Sequence, residues 1–101
     1  IGARLGETGA MEIDAQGLAV APGFVDLHSH ADSTLFADPL VESVIRQGVT
    51  TVVVGQDGSS PAPGGGGGNG FGTFRDYFDA VDRPRPSANV AAAVGLGTVR
   101  R

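Results

Sequence analysis

Apolar and polar residues follow one another in short blocks along this chain, and the spacing inside each block predicts its structure. Residues 11–14 alternate loosely and predict a short strand, with Gly17 as a turn. Leu18 to Val20 is a second short apolar piece, ended by the turn signal Pro22-Gly23. Phe24-Val25-Asp26-Leu27-His28 predicts a strand, apolar enough to be buried on both faces. Asp38-Pro39 then predicts an N-cap followed by proline at the first helical position. Leu40, Val41, Val44 and Ile45 recur at helical spacing, and Gly48 stops that helix. Val49-Thr50-Thr51-Val52-Val53-Val54 is β-branched at every position and closed by Gly55, which makes it the clearest strand. Phe74, Tyr77, Phe78 and Val81 sit at i, i+3, i+4 and i+7, so residues 73–81 predict an amphipathic helix with an apolar core face and Thr73 as cap. Arg83-Pro84-Arg85-Pro86 breaks it, and residues 89–94 predict a third strand before Gly95 and Gly97.

Strands alternating with helices imply an α/β fold with a parallel sheet. Three parallel strands leave apolar faces and two edges open, so the sheet calls for more chain, and the sequence is expected to be a fragment. An isolated chain of this kind is expected to be unstable or prone to associate. Composition sharpens this picture in one place. Glycine and proline are abundant, at 17 and 6 residues, but nine of the glycines lie between Gly55 and Gly72. That segment is low-complexity, whereas 41% hydrophobic residues is too many for a disordered chain. Without cysteine there is no disulfide framework and no thiolate metal site. A net charge of −4, with dispersed arginines and no lysine, argues against nucleic acid as a partner. The apolar runs are too short for a membrane helix.

The strongest chemical signal is His28-Ser29-His30 at the end of the Phe24–His28 strand, and these are the only histidines. Residues two apart in extended chain point to one side, so both imidazoles can reach a single divalent cation. Asp26 lies one step further back on the same face, where it can orient a ligand. Asp57, in Gly55-Gln56-Asp57-Gly58, follows the second strand and lies beside the histidines if the two strands are neighbours. There it has two readings: a third carboxylate ligand, or an Asp-Gly turn in which the side chain bonds its own backbone. Ser59 and Ser60 are either substrate contacts or ordinary loop residues. The run from Gly64 to Gly68 lacks the spacing and the Lys-Ser/Thr of a phosphate loop and predicts a linker or flap. Asp32, Asp38, Asp76, Asp79 and Asp82 read as solvated charges or caps.

The segment Ile13-Asp14-Ala15 through Pro22-Gly23-Phe24-Val25-Asp26-Leu27-His28-Ser29-His30 closely resembles the opening of the amidohydrolase superfamily. Gln47 to Gly58, followed by Ser60-Pro61-Ala62-Pro63, resembles its N-acyl-D-amino-acid deacylase (D-aminoacylase) branch. So do Phe74 to Ala80, Asn89-Val90-Ala91 and Gly97-Thr98-Val99-Arg100. The resemblance implies the first units of a metal-dependent (β/α)8 TIM-like barrel over residues 23–101, with the loop 55–72 at its carboxyl face. Residues 1–22 would be the N-terminal share of a small β-sandwich. It implies one or two zinc ions, His28 and His30 as ligands, and Asp57 at the place where the branch often has a cysteine. The zinc would activate water toward the amide of an N-acyl-D-amino acid, a small-molecule substrate. The general acid/base aspartate, further histidine ligands and the substrate-carboxylate contacts would come from later strands, so no catalytic residue lies within this sequence. A cytoplasmic location, with no membrane partner, is expected.

Two departures stand out. Asp57 exchanges a soft thiolate for a hard carboxylate, which bears on metal number and affinity. Leu96 stands where relatives commonly carry a histidine. Two other functions remain open at this stage. A cyclic-amide hydrolase of the dihydroorotase or hydantoinase kind usually needs a carboxylated lysine, and this sequence has no lysine. A truncated or scaffold product without catalysis is the other alternative.

Overall fold

In a computed structural model of the chain, residues 6, 9–64 and 70–100 are described. Most of the glycine run, the first five residues and Arg101 lie outside the described residues. The elements run β1 (Phe24–Asp26), α1 (Thr34–Ala37), α2 (Glu42–Ile45), β2 (Val49–Val54), α3 (Phe74–Asp82), β3 (Asn89–Ala92) and α4 (Leu96–Val99). The three strands form one parallel sheet in the order β1-β2-β3. Asp26 pairs with Val52, and Val54 pairs with Ala92, so the carboxyl ends of all three strands open onto the same edge.

The central strand is where the core gathers. Val52 and Val54 are fully buried and pack with Leu35, Val41, Tyr77, Val81 and Ala88. Helix α3 has the predicted apolar face, with Tyr77 and Val81 buried and Phe74 and Phe78 half-buried against the same cluster. Its start follows from a reciprocal cap. The Asp76 N–H donates to Thr73 Oγ1 at 3.1 Å, and the Thr73 N–H donates back to Asp76 Oδ2 at 3.0 Å.

Five expectations change. The first strand stops at Asp26, and it is not buried: Phe24 is 69% and Val25 53% exposed. It is an edge strand, and no described residue covers its outer side. Residues 11–14 and 18–20 do not form strands; the segment is irregular around a turn in which the Leu18 N–H donates to the Ala15 carbonyl. A strand needs a partner ladder, and none of the described residues supplies one. Asp38 is not a helix N-cap. Its position before Pro39 favours extended backbone, with ψ at 82°, and it ends α1 instead. Helix α2 starts after Val41, which takes a left-handed φ of 40°, unusual for a β-branched residue, because its side chain is buried in the core. The third strand is shorter than predicted, and Gly95 leads into α4, which the apolar pattern did not indicate.

Tyr77 is fully buried among Phe36, Phe71 and Phe78, and its hydroxyl has no hydrogen-bond partner among the described residues. Desolvation, reinforced by the nearby Asp32 carboxylate, pushes its pKa from 10.0 up to about 12. The folded state thus favours the neutral phenol. This contribution to stability is fully present below pH 10 and is lost as the pH rises through about 12. In the full-length protein, the tyrosinate absorbance that a Tyr77→Phe variant loses reports this group. Half-ionisation close to 12 is the expected result; half-ionisation close to 10 would place the phenol in water.

Candidate metal centre

Three short segments meet at the carboxyl edge of the sheet. After β1 the chain bends, because Asp26 Oδ1 accepts the His28 N–H at 3.1 Å in place of a further strand pairing. The Ser29 N–H then donates to the Val53 carbonyl at 3.0 Å, which holds the bend against β2. His28 and His30 flank that bond on one side, their ring centroids 5.3 Å apart. The same-side placement read from strand periodicity is therefore reached, but through a bend and not a continued strand. Asp26 acts on the main chain of His28, and no contact of its carboxylate with an imidazole ring is present among the described residues.

After β2 the chain turns at Asp57-Gly58. The Ser59 N–H donates to the Gln56 carbonyl at 3.1 Å, and both central residues have positive φ, 56° and 80°. These are the signs of a type I′ turn, which Asp-Gly suits because aspartate tolerates the left-handed region. The turn forms as expected, but no hydrogen bond between the Asp57 carboxylate and its own backbone is present among the described residues. The Asp57 backbone makes the turn, while its carboxylate points to the histidines. Asp57 Oδ1 lies 3.6 Å from His28 Nε2, and Oδ2 lies 3.3 Å from His30 Nε2.

Those separations carry chemical information. Hydrogen bonds from N–H to oxygen centre on about 2.9–3.0 Å. Tetrahedral zinc, with its ligands at about 2.0–2.2 Å, sets donor atoms roughly 3.3–3.5 Å apart. One donor atom from each of the three residues lies within 4.8 Å of the others, so a single cation can be reached by all three. The donor set, two neutral imidazoles and one carboxylate, suits zinc or another borderline divalent metal. All three side chains are exposed, at 61%, 65% and 67%, so the face toward solvent is open to further ligands.

The neighbouring residues have structural work. Ser59 Oγ donates to the Gln56 carbonyl, and buried Ser60 Oγ donates to the Ala62 carbonyl, so both hydroxyls serve the loop. Two residues that sequence reasoning passed over hold the edge together. Thr98 Oγ1 accepts the Ser60 N–H at 2.9 Å, and the Gly97 and Thr98 N–H groups reach the Gly58 carbonyl. Gln56 spans from β2 to the chain before His28. Its place between a strand end and an Asp-Gly turn was the only available signal. Leu96 opens α4 beside this contact, exposed and apolar.

The sequence pattern of the amidohydrolase family matches residues 11–95. The chain belongs to the amidohydrolase family. Within it, this amidohydrolase chain is 40% identical to an N-acyl-D-aspartate deacylase of Alcaligenes xylosoxydans xylosoxydans over 91% of its own length. It is also 40% identical to the N-acyl-D-glutamate deacylase of that organism over 87%. It spans about a fifth of these relatives, 21% and 20% of their lengths. Among solved structures it resembles the N-acyl-D-glutamate deacylase of Bordetella bronchiseptica, complexed with zinc and a phosphonate mimic of the tetrahedral intermediate. The TM-score is 0.69 at 40% identity, over 78% of this chain and 19% of that one. A D-aminoacylase structure described by its binuclear metal centre follows at TM-score 0.68 and 38% identity, again over 78% and 19%.

Proposed function

We propose that this chain is the N-terminal part of a zinc-dependent hydrolase that cleaves the amide bond of N-acyl-D-amino acids to a carboxylate and a D-amino acid. The observation that carries the reading is the donor set: two imidazole nitrogens 3.6 and 3.3 Å from the two oxygens of one carboxylate, at the carboxyl edge of a parallel sheet. Deacylase relatives at 40% identity supply the substrate class.

The three parallel strands are read as the first three of a (β/α)8 barrel over residues 23–101, and residues 1–22 as a share of a small β-sandwich. The parallel order and the uncovered, apolar β1 support this, since barrel closure would pair and cover such an edge. The general acid/base aspartate and the contacts to the substrate carboxylate are assigned to chain beyond these residues.

When bound, zinc supplies Lewis acidity and an activated water at neutral pH. His28 and His30 would hold the metal through their imidazole nitrogens, and Asp57 would hold it through its carboxylate while offsetting one of its positive charges. Asp26 keeps the His28 main chain bent toward the site. The loop 55–72, part of which lies outside the described residues, is read as a cover for a bound substrate.

The test is an assay of the full-length protein on N-acyl-D-aspartate and N-acyl-D-glutamate. Zinc-dependent release of the D-amino acid, stopped by a chelator, is expected; a zinc-loaded protein that releases none overturns the assignment. Asp57→Asn keeps the turn conformation and removes the charge. It is expected to weaken zinc retention at least ~10-fold. Unchanged zinc content would leave Asp57 with its turn role alone.

A further inference from the structure

We propose that Gln56 is a positioning residue that sets the spacing between the histidine pair and Asp57, an inference that rests on the metal-site reading above. Its Nε2 donates to two main-chain carbonyls at once, Leu27 at 3.0 Å and Val53 at 2.8 Å. Leu27 immediately precedes His28, and Gln56 immediately precedes Asp57. One side chain therefore ties together the two segments that present the donors, across 29 residues of sequence.

The network closes on a single atom. The Val53 carbonyl accepts both the Gln56 carboxamide and the Ser29 N–H, the latter at 3.0 Å. Ser29 stands between the two histidines, so both flanks of the metal site hang on the end of β2. The ladder between β1 and β2 ends at Asp26 and Val52, and beyond it the Gln56 amide takes over the role of a strand pairing.

Glutamine suits this position for chemical reasons. Two carbonyl acceptors demand two N–H donors from one nitrogen, which a carboxamide carries and a carboxylate does not. The same demand fixes the orientation of the amide, since its oxygen would face two carbonyl oxygens if it were turned over. The group is uncharged, so it braces the site without competing for the metal. Bracing matters because metal ligands must be held close to their bound geometry before the metal arrives; supporting partners of this kind typically contribute ~10–100-fold in affinity.

The experiment uses the full-length apoprotein, titrated with zinc against a chromophoric chelator. Gln56→Met matches the length of the side chain and removes both donors; Gln56→Asn keeps the amide but shortens its reach. Apo melting temperature and the visible spectrum of the cobalt-substituted protein are measured beside the affinity. The expected result is a ~10–100-fold weaker zinc affinity for Gln56→Met, with a smaller loss for Gln56→Asn. The cobalt bands should shift while the apo melting temperature moves little. Wild-type affinity together with wild-type cobalt bands in Gln56→Met overturns the proposal. An affinity loss that merely tracks a lower apo melting temperature, with unchanged cobalt bands, also overturns it, because Gln56 would then be a packing residue. If Gln56→Met does not fold, the same comparison is read from Gln56→Asn. A wild-type protein that binds no zinc brings down the metal-site reading itself, and is thereby distinguished from a failure of Gln56 alone.

Discussion

Replacing His28 or His30 by alanine in the full-length protein is expected to abolish zinc-dependent deacylation and leave the fold standing. Each imidazole offers its Nε2 within 3.6 Å of an Asp57 oxygen, so either truncation takes one donor from a three-donor set. Losing a direct ligand should exceed the ~10–100-fold that loss of a supporting partner costs in metal affinity. The stability cost should be small. Both side chains are more than half exposed, and exposed substitutions away from caps and ion networks usually stay within about 0.5 kcal/mol. Zinc content after dialysis and the melting temperature of the apoprotein separate the two effects. Retained activity in either variant would remove that histidine from the site.

The second large effect is expected from a position that carries no chemistry. Gly55 is buried and takes a φ of +83°, and a Cβ there would overlap the carbonyl oxygen of Ala93. Gly55→Ala therefore combines left-handed strain, about 1–3 kcal/mol, with overpacking of similar size, about 1–3 kcal/mol. The overlap cannot relax easily, since the Ala93 N–H is bound to the Val54 carbonyl at 2.8 Å and fixes β3 beside β2. Gln56 and Asp57 follow directly, so a displaced backbone would also move the carboxylate away from the histidines. A fall in the denaturant midpoint of the full-length protein, with weaker zinc retention, is the expected outcome. An unchanged midpoint would show that the β2–β3 approach is looser than the structure has it.

Both effects arise from contacts among the three strands and the segments that follow them, while the activity readout needs the full-length protein. The exposed apolar residues are another matter. Phe24 and Val25 are exposed on the edge strand β1 and Leu27 just after it, and Val94, Leu96 and Val99 are exposed beyond β3. A cut through a larger α/β core leaves surfaces of this kind on both sides, consistent with a chain that spans about a fifth of its deacylase relatives.

Much of this arrangement could be read directly from the residues. The β-branched run of β2, the apolar face of α3 and the Thr73 cap are local signals, set by side-chain period and by hydrogen bonds within one turn. The pairing of His28 with His30, and the Asp-Gly turn, are local as well. Local rules failed where long-range packing outweighed them. Val41 adopts a left-handed backbone because its side chain is buried in the core, and Asp38 closes one helix where its cap chemistry suggested the start of another. Period alone also called for a doubly buried β1, although burial depends on what lies against a strand. Where the Asp57 carboxylate points could not be decided along the chain at all. The two readings differ only in where a carboxylate points, and that direction is set by β1 lying parallel to β2 with Gln56 bridging their ends. Sequence by itself determined which donors exist and that each stands at a strand's carboxyl end. Only tertiary structure brought them within reach of one cation, because the contact joins segments nearly thirty residues apart that no local interaction holds together.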